Sequence, residues 1–281
     1  MNKIALASQF LTAHLNQFEC PVCHAPFTAI DDGTLRCQND HTFDLSKKGT
    51  LFFLNAPVNT EYTDEMLRNR QQMLTSGFFE PMLGEVVKHL QGDLVLDAGS
   101  GEGTTTKWLA SHYPSGDFVG LDISKPAINI AGSGVVSDPQ PLFAVGDLAK
   151  LPFETNALSS IVNILSPANY QEFDRVLQPG GVLIKVIPNS HYLTELRQFV
   201  YPEGEHATYD NAPVKQHFIA QYGEVDFVPV QYQFELTPAL FKALFAMTPL
   251  TWQASEERRN EILNQGLPNI TADFEVGIVH L

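Results

Sequence analysis

The chain has 281 residues, 44% of them apolar, and 17 lysines and arginines against 32 aspartates and glutamates give a formal charge of −15. This is the composition of a folded globular protein and excludes a disordered or fibrous chain. The excess of acid opposes diffuse attraction to nucleic acid or anionic lipid, so a nucleic-acid partner must be bound locally. No apolar run approaches the roughly 20 residues that span a bilayer and no signal peptide is recognised, so we expect a cytoplasmic protein with no membrane partner.

The first third of the chain predicts a helix, a small segment without a core and a second helical stretch. Apolar residues recur at helical spacing over residues 4–17 and again over residues 63–90. Between them, residues 20–54 hold too few apolar residues to build a core and need a covalent or metal cross-link to fold. We therefore expect a small domain with its leading helix at residues 1–55 and a helical connector at residues 56–92.

In residues 93–281, short apolar runs alternate with helical segments. Strands are predicted at residues 94–98, 118–121, 141–145, 159–165 and 182–187, with helices after Gly103, Ser124, Asn169 and Ser190. This alternation is typical of an α/β domain with a mostly parallel sheet and right-handed crossovers. Two late segments, residues 225–236 and 273–281, alternate apolar and polar residues, which predicts an antiparallel pair at a sheet edge. A helix is expected between them at residues 238–247.

Three cysteines and a histidine in the small domain have the spacing of a zinc site. Two residues separate Cys20 from Cys23, three separate Cys37 from His41, and the chain has no other cysteine. Three thiolates and an imidazole suit the closed tetrahedron of a structural zinc ion, whose binding free energy can fold a segment that lacks a core. His24 is a rival fourth ligand, but it adjoins Cys23 and closes the tetrahedron less easily, so we favour His41.

A glycine-rich turn follows the first predicted strand of the α/β domain. The run DAGSGEG at residues 97–103 leads from a strand into a helix, and glycines there let the backbone approach a ligand closely. Its spacing is that of neither a dinucleotide nor a phosphate-cradling loop. Asp122 ends the next strand, where a carboxylate can accept hydrogen bonds from both ribose hydroxyls of a nucleoside. Asp147 ends the third strand.

Three neighbouring parallel strands that each carry a carboxylate at the C-terminal end predict a ligand pocket at that edge of the sheet. Asp97 and Glu102 would repel a pyrophosphate but tolerate an amino group and a sulfonium. The cofactor indicated is therefore S-adenosylmethionine, bound around the glycine turn and Asp122.

Two sets of motifs resemble known families. The glycine turn, Asp122, the sequence GD at 146–147 with LPF at 151–153, and VLQPGG at 176–181 resemble the class I S-adenosylmethionine-dependent methyltransferases. With the cysteine cluster, DEM at 64–66, FEP at 79–81, PNSH at 188–191 and MTPLTW at 247–252, the whole chain resembles the RlmA-type 23S rRNA (guanine-N1)-methyltransferases.

This resemblance implies a zinc ribbon joined to a class I methyltransferase domain, whose Rossmann-like, mostly parallel seven-stranded sheet has an antiparallel edge hairpin. It implies zinc and S-adenosylmethionine as cofactors, a guanine N1 in a 23S rRNA stem-loop as the methyl acceptor, and a homodimer. Carried over by position, the methionine part of the cofactor lies at Gly99, Ser100 and Gly101 near Asp97, its ribose at Asp122, its adenine at Asp147 and Leu148, and zinc at Cys20, Cys23, Cys37 and His41.

The ribbon departs from its relatives in charge. Residues 20–48 carry three cations against four acids, and residues 56–64, which are often basic in relatives, carry no cation. Phosphate contacts supply much of the affinity for RNA, so this ribbon is poorly equipped to bind RNA unaided. The remaining candidates for backbone contacts are Arg68, Arg70, Arg197, Arg258 and Arg259.

The acceptor chemistry is only partly defined. The run ILSPA at residues 164–168 lacks the Asn/Asp-Pro-Pro pattern of enzymes that methylate exocyclic amino groups, which favours a ring nitrogen. Methylation at N1 needs an acceptor for the N1 proton, and His191 and Glu195 after the fifth strand are the candidates, with no general base identified. A class I methyltransferase acting on a small molecule and a noncatalytic zinc and nucleoside-binding module are the alternative functions.

Overall fold

The computed structural model describes residues 2–56, 58, 62–136, 140–202, 209–252 and 254–281. The chain divides into two compact units: unit 1 comprises Met1–Glu61, Val86–Lys185 and Ile278–Leu281, and unit 2 comprises Tyr62–Glu85 and Val186–Gly277. The domain boundaries at residues 55 and 92 remain a prediction, and the predicted connector includes residues 57 and 59–61, which lie outside the described residues. Across the described ranges, every helix is too short or too polar to cross a lipid bilayer.

Unit 1 opens with helix α1 (Lys3–Ala13), and the Asn2 side chain caps it by accepting a hydrogen bond from the Ala5 N–H. A three-stranded antiparallel sheet follows, formed by β1 (Phe27–Asp31), β2 (Thr34–Cys37) and β3 (Thr42–Asp44). Of the residues in these strands only Phe27, Leu35 and Cys37 are buried, so the small sheet has little apolar core of its own.

The larger sheet of unit 1 carries the predicted α/β pattern. Its strands are β4 (Thr50–Phe52), β5 (Leu94–Ala98), β6 (Asp117–Asp122), β7 (Leu142–Val145), β8 (Leu158–Ile164) and β9 (Leu177–Pro188), in the order β9-β8-β5-β6-β7-β4. The pairs β8–β5, β5–β6, β6–β7 and β7–β4 are parallel. Every residue of β5, β7 and β8 is buried, because helices cover both faces of such a sheet. The helices between these strands are α4 (Thr104–His112), α5 (Lys125–Ala131) and α6 (Tyr170–Val176).

Strand β4 was not predicted. It is only three residues long and follows the small antiparallel sheet within the predicted small domain, yet it pairs with β7 and widens the parallel sheet by one strand. Three residues are too few for an apolar pattern to be recognised.

Unit 2 contains helices and an antiparallel sheet edge. Its elements are α2 (Asp64–Thr75), the start of α3 (Glu80–His89), the end of β9, α7 (Thr194–Val200), α8 (Ala212–Tyr222), β10 (Asp226–Glu235), α9 (Pro238–Met247), α10 (Glu256–Gln265) and most of β11 (Asn269–His280). The strand order is β10-β11-β9. The N–H groups of Asn189 and Leu193 donate to the carbonyls of Asp273 and Thr271, so β11 runs antiparallel to the chain leaving β9. The predicted edge is therefore present, with α10 as an unpredicted helix that buries only Ile262.

Candidate functional site

The three cysteines and His41 come together in the small sheet. The Nδ1 atom of His41 lies 3.7 Å from Cys20 Sγ, 3.2 Å from Cys23 Sγ and 3.6 Å from Cys37 Sγ, and Cys23 Sγ lies 3.8 Å from Cys37 Sγ. All four ligand atoms lie within 4.8 Å of one another. Zinc–sulfur and zinc–nitrogen bonds of about 2.3 and 2.0 Å at tetrahedral angles separate ligand atoms by about 3.5–3.8 Å, so the cluster fits a tetrahedral zinc ion.

The thiols of the cluster have unequal proton affinities. Burial raises the pKa of Cys20 to about 11, whereas a hydrogen bond from the Ala25 backbone N–H is the largest of the contributions that lower the pKa of Cys23 to about 6. Thiolates bind zinc, so the ion must displace the proton that burial stabilises on Cys20.

The rival ligand His24 has a different partner. Its Nδ1 lies 2.9 Å from Oε1 of the buried Glu19, and the same oxygen lies 3.2 Å from Nη1 of Arg175 on α6. Next to it, Phe18 forms an isolated bridge with Phe153, and their rings lie 4.8 Å apart. Glu19 and Phe18 thus attach the segment before the small sheet to α6 and to the segment between β7 and β8 within unit 1, and His24 contacts the same Glu19 carboxylate.

The predicted cofactor residues lie where β5, β6 and β7 end. Gly99 and Gly101 have φ of 89° and 57°, which a side chain rarely permits. The Gly99 N–H donates to the Leu121 carbonyl, and the Gly101 N–H donates to Asp122 Oδ2 at 2.9 Å. The glycine turn is therefore folded against the end of β6.

Asp122 holds this edge together. Its Oδ1 accepts from the N–H of Ser124, the residue whose side chain caps α5, at 2.8 Å, while its Oδ2 accepts from Gly101. A carboxylate accepts up to about four hydrogen bonds, so both contacts are compatible with accepting ribose hydroxyls. The backbone carbonyl of Asp122 also accepts from the Gly146 N–H at 3.0 Å, which brings the end of β7 to the same place.

Asp97 and Ser100 are buried beside the turn. Burial raises the pKa of Asp97 to about 6, although the hydroxyls of Thr105 and Thr106 donate to its Oδ2. Its hydrogen bonds therefore go to the first turn of α4, and the predicted contact with the cofactor remains a prediction. The Ser100 hydroxyl is buried and makes no hydrogen bond within the described part of the chain, which leaves a polar atom for a ligand to satisfy.

Asp147 and Leu148 follow β7 and are both partly exposed. The Asp147 side chain accepts from the Ala149 N–H at 2.9 Å, and its carbonyl accepts from the Lys150 N–H, which gives a tight turn. This turn follows Gly146 at the end of β7, and the predicted contact of Asp147 and Leu148 with the cofactor remains a prediction.

A buried lysine near this edge was not predicted as functional. The Lys185 ammonium donates to Asn163 Oδ1 at 2.6 Å and to the Ser166 carbonyl at 3.2 Å, and burial lowers its pKa to about 8. Asn163 in turn donates to the Ala98 carbonyl, and a Cβ on Gly99 would lie 2.1 Å from Ser166 Oγ. The network ties the turn after β8 to the glycine turn. The available signal was a polar residue within each of two buried strands, Asn163 in β8 and Lys185 in β9.

The two candidate bases have different surroundings. His191 is largely exposed, and its Nδ1 lies 3.3 Å from the buried Asp273 Oδ2. The Glu195 carboxylate accepts from the N–H and hydroxyl of Thr271. Burial alone would raise the pKa of Glu195, but the hydrogen bonds from Thr271 and Gln233 lower it overall.

Four of the five candidate arginines make intramolecular contacts in unit 2. Arg70, Arg197 and Arg259 lie over the rings of Phe79, Tyr209 and Phe245, and Arg258 donates to the Phe199 carbonyl and to Glu261. Arg68 on α2 is exposed.

Two sequence families match the chain. The family described as the RlmA N-terminal zinc ribbon matches residues 18–60, and the family described as a methyltransferase domain matches residues 95–181. The first range contains the whole cysteine cluster, and the second contains the glycine turn, Asp122 and Asp147.

Individual proteins are similar over different lengths. YxjB of Bacillus subtilis (strain 168), named among the 23S rRNA (guanine-N(1)-)-methyltransferases, is 34% identical over 94% of this chain and 97% of its own length. The 23S rRNA (guanine(748)-N(1))-methyltransferase of Streptomyces fradiae is 33% identical over 63% of this chain and 65% of its own. A crystal structure of a methyltransferase from an antibiotic biosynthesis pathway of Anabaena variabilis has a TM-score of 0.51 and 14% identity over 71% of this chain and 96% of that one, which supports the fold.

Proposed function

Since the chain belongs to the RlmA-type family of 23S rRNA (guanine-N1)-methyltransferases, we propose that it methylates N1 of a guanine in a 23S rRNA stem-loop, with S-adenosylmethionine as methyl donor. The observation that carries this proposal is the similarity to YxjB through 97% of that protein, because it spans the zinc ribbon, the cofactor edge and the C-terminal segment together. A small-molecule methyltransferase would need only the cofactor edge.

The glycine turn and the carboxylates at the ends of β5, β6 and β7 suit S-adenosylmethionine as a ligand. S-adenosylmethionine, when bound, supplies a methyl group already activated on a sulfonium, so the protein mainly positions the reactants and excludes water. We assign the methionine part to Gly99, Ser100 and Gly101, since the buried Ser100 hydroxyl lacks a partner among the described residues. Asp122 is assigned to the ribose, and Asp147 with Leu148 to the adenine. Asp97, which accepts a hydrogen bond from Thr106 on α4, is assigned to the same edge beside the glycine turn.

We assign zinc to Cys20, Cys23, Cys37 and His41. The small sheet buries few apolar side chains of its own, so the ion supplies folding free energy that the segment lacks. Its role is structural, because four protein ligands leave no open coordination position for a substrate.

The RNA partner must be bound with few cations. The ribbon has a net charge of −1 over residues 20–48, and most of the candidate arginines already make contacts within the protein. Recognition of a stem-loop by shape, loop bases and hydrogen bonds to the sugar is the mode that suits such a surface.

The assembly, the location and the domain division are also part of the proposal. We infer a homodimer of 31.1 kDa chains in the cytoplasm, with a zinc ribbon at residues 1–55, a connector at residues 56–92 and a methyltransferase domain at residues 93–281. Light scattering on the purified protein measures the assembly, and a mass near 31 kDa instead of about twice that contradicts the dimer.

The function is tested by methyl transfer to RNA. Purified protein is incubated with labelled S-adenosylmethionine and 23S rRNA transcribed in vitro, and the product is mapped by reverse transcription, which stops at N1-methylguanine. We expect label in the RNA and one strong stop at a guanine. Label in small metabolites of a cell extract but not in RNA would favour the small-molecule alternative, and cofactor binding without transfer would favour the noncatalytic one.

A further inference from the structure

The turn that follows β8 lies against the glycine turn within unit 1. Strands β5 and β8 are parallel neighbours with Asp97 opposite Val162, so the segments that leave them emerge side by side at one edge of the sheet. A Cβ on Gly99 would lie 2.1 Å from Ser166 Oγ and 2.7 Å from Ser166 Cβ. Ser166 therefore occupies the space beside Gly99, and this contact requires a glycine there as much as the φ of 89° does.

Asn163, the last residue but one of β8, ties the two turns together. Its side-chain nitrogen donates to the Ala98 carbonyl at 2.8 Å and to the Pro167 carbonyl at 3.0 Å. The first carbonyl belongs to the residue before Gly99, and the second belongs to the residue after Ser166. One fully buried amide thus fixes the spacing between the turn after β8 and the glycine turn.

Lys185 on β9 determines how that amide is oriented. Its ammonium donates to Asn163 Oδ1 at 2.6 Å and to the Ser166 carbonyl at 3.2 Å. An ammonium can only donate, so it fixes the amide with the oxygen toward Lys185 and the nitrogen toward the two carbonyls. Lys185 therefore acts on the turn after β8 both directly and through Asn163.

The backbone of this turn is strained and depends on these contacts. Leu165 has φ of 51°, in the left-handed region that an apolar L-residue rarely adopts. Such a conformation persists only where the surroundings enforce it, and Lys185 and Asn163 hold the carbonyls of the next two residues. Without these hydrogen bonds, Leu165 would relax and Ser166 would move away from Gly99.

The charge of Lys185 does not serve the stability of the fold. The residue is 5% exposed, and both of its hydrogen bonds within the described part of the chain go to neutral oxygens. Burial lowers its pKa to about 8, so the ammonium is charged at neutral pH in surroundings that disfavour the charge. An apolar side chain would fill the same space without that cost, but it would not supply the two hydrogen bonds.

We propose that Lys185 is a positioning residue for the cofactor, an inference that rests on the proposed function. It orients Asn163 and the Ser166 carbonyl, and thereby holds the turn after β8 against Gly99, to which the methionine part of S-adenosylmethionine is assigned. Lys185 itself need not touch the cofactor. The ribose and adenine are assigned to the ends of β6 and β7, so the effect of Lys185 is confined to the methionine part.

Calorimetric titration with two ligands tests this inference. S-adenosylmethionine carries the methionine part, whereas 5′-methylthioadenosine has the same adenine and ribose but lacks the amino and carboxylate groups. For Lys185→Met and Asn163→Leu we expect the Kd for S-adenosylmethionine to rise about tenfold, the effect of about one lost hydrogen bond. The Kd for 5′-methylthioadenosine should stay within about twofold of wild type. A residue with a purely structural role would change both affinities together or neither.

The double variant Lys185→Met/Asn163→Leu separates positioning from support of the fold. Each single variant leaves a buried polar partner unpaired, whereas replacing both partners with apolar side chains of similar shape is often neutral or stabilising. We therefore expect the double variant to be at least as stable to urea as the single variants. Its Kd for S-adenosylmethionine should nevertheless remain about tenfold above that of wild type.

Ser160→Ala is the matched control at the opposite end of β8. The buried Ser160 hydroxyl donates to the Gln91 carbonyl and accepts from the Gln91 N–H, so its loss should lower stability and leave both affinities unchanged. Three results overturn the inference while the proposed function stands: a double variant that binds S-adenosylmethionine within about twofold of wild type, an equal loss for both ligands, or a double variant that does not fold. Absence of S-adenosylmethionine binding by the wild type overturns both.

Discussion

At the scale of single residues, Asp122 combines a structural and a binding role. Its carboxylate accepts from the N–H groups of Gly101 and Ser124 and thereby closes the edge at which the cofactor is proposed to bind. The same oxygens are the acceptors proposed for two ribose hydroxyls. Hydrogen bonds to a charged acceptor contribute about 1.5–3 kcal/mol each, more than the neutral contacts that surround them.

We predict that Asp122→Ala weakens S-adenosylmethionine binding by at least about 100-fold, since two charge-assisted hydrogen bonds are lost. Calorimetric titration measures this, and circular dichroism should show a folded protein. Asp117→Asn at the opposite end of β6 is the control, with wild-type affinity. A folded Asp122→Ala protein with near-wild-type affinity would show that the nucleoside lies elsewhere.

Asp97 provides a pH dependence with a defined sign. Burial raises its pKa from 3.8 to about 6, so the folded state binds a proton more tightly than the unfolded state. Ionised Asp97 therefore costs stability, and this cost develops as the pH rises from about 4 to about 6. In Asp97→Asn the cost is absent, so the stability of the variant relative to wild type should rise by up to about 3 kcal/mol between pH 4 and pH 7. Urea denaturation at each pH measures the difference, and a difference that does not change with pH contradicts the assignment.

At the scale of elements, the small antiparallel sheet depends on its metal ligands. The cysteine cluster joins the turn before β1 to the end of β2, and few apolar contacts replace it. Phe18 contacts Phe153 and Glu19 contacts Arg175, and both residues lie before the first cysteine, so we expect these contacts to persist without the metal.

We predict that Cys37→Ser and His41→Ala lose the zinc ion and that amide hydrogen exchange rises across β1 to β3, while β5 and β6 stay protected. Elemental analysis and exchange mass spectrometry measure the two effects. His24→Ala is the matched control and should retain one zinc ion per chain, because that imidazole contacts Glu19 instead. Zinc loss in His24→Ala together with zinc retention in His41→Ala would show that His24, and not His41, is the fourth zinc ligand.

At the scale of the whole molecule, the formal charge of −15 opposes binding to RNA. Several lysines are moreover used within the fold. Lys3, Lys48 and Lys107 donate to the carbonyls of Gly132, Asn129 and Ala131 at the end of α5, and Lys185 is buried. Cations at a helix C-terminus offset its partial negative charge, which makes them structural.

We therefore predict a shallow salt dependence for binding to the rRNA stem-loop. Each phosphate contact contributes about 0.7–0.9 to the slope of log K against log salt concentration, and we expect a slope no steeper than about −4, or about five contacts. Fluorescence anisotropy between 50 and 300 mM salt, concentrations chosen around the physiological value of about 150 mM, measures it. A slope of about −7 or steeper would contradict this prediction, because it would require more phosphate contacts than the lysines and arginines not used within the fold can supply.

The sequence by itself determined the family, the cofactor class and most strands of the parallel sheet. Strands such as β5 and β8 are buried on both faces and therefore appear as continuous apolar runs, and the cysteine cluster follows from local spacing because its ligands lie within 22 residues of one another. These signals need no knowledge of how distant segments meet.

Tertiary structure alone decided which polar groups meet. His191 and Asp273 are 82 positions apart, Lys185 and Asn163 sit on different strands, and β4 pairs with a strand about 90 residues later. Nothing in local periodicity encodes such pairs, because each depends on the path of the whole chain through the sheet. The physical reason is that a carboxylate changes the chemistry of an imidazole only at contact distance, and contact distance is set by packing.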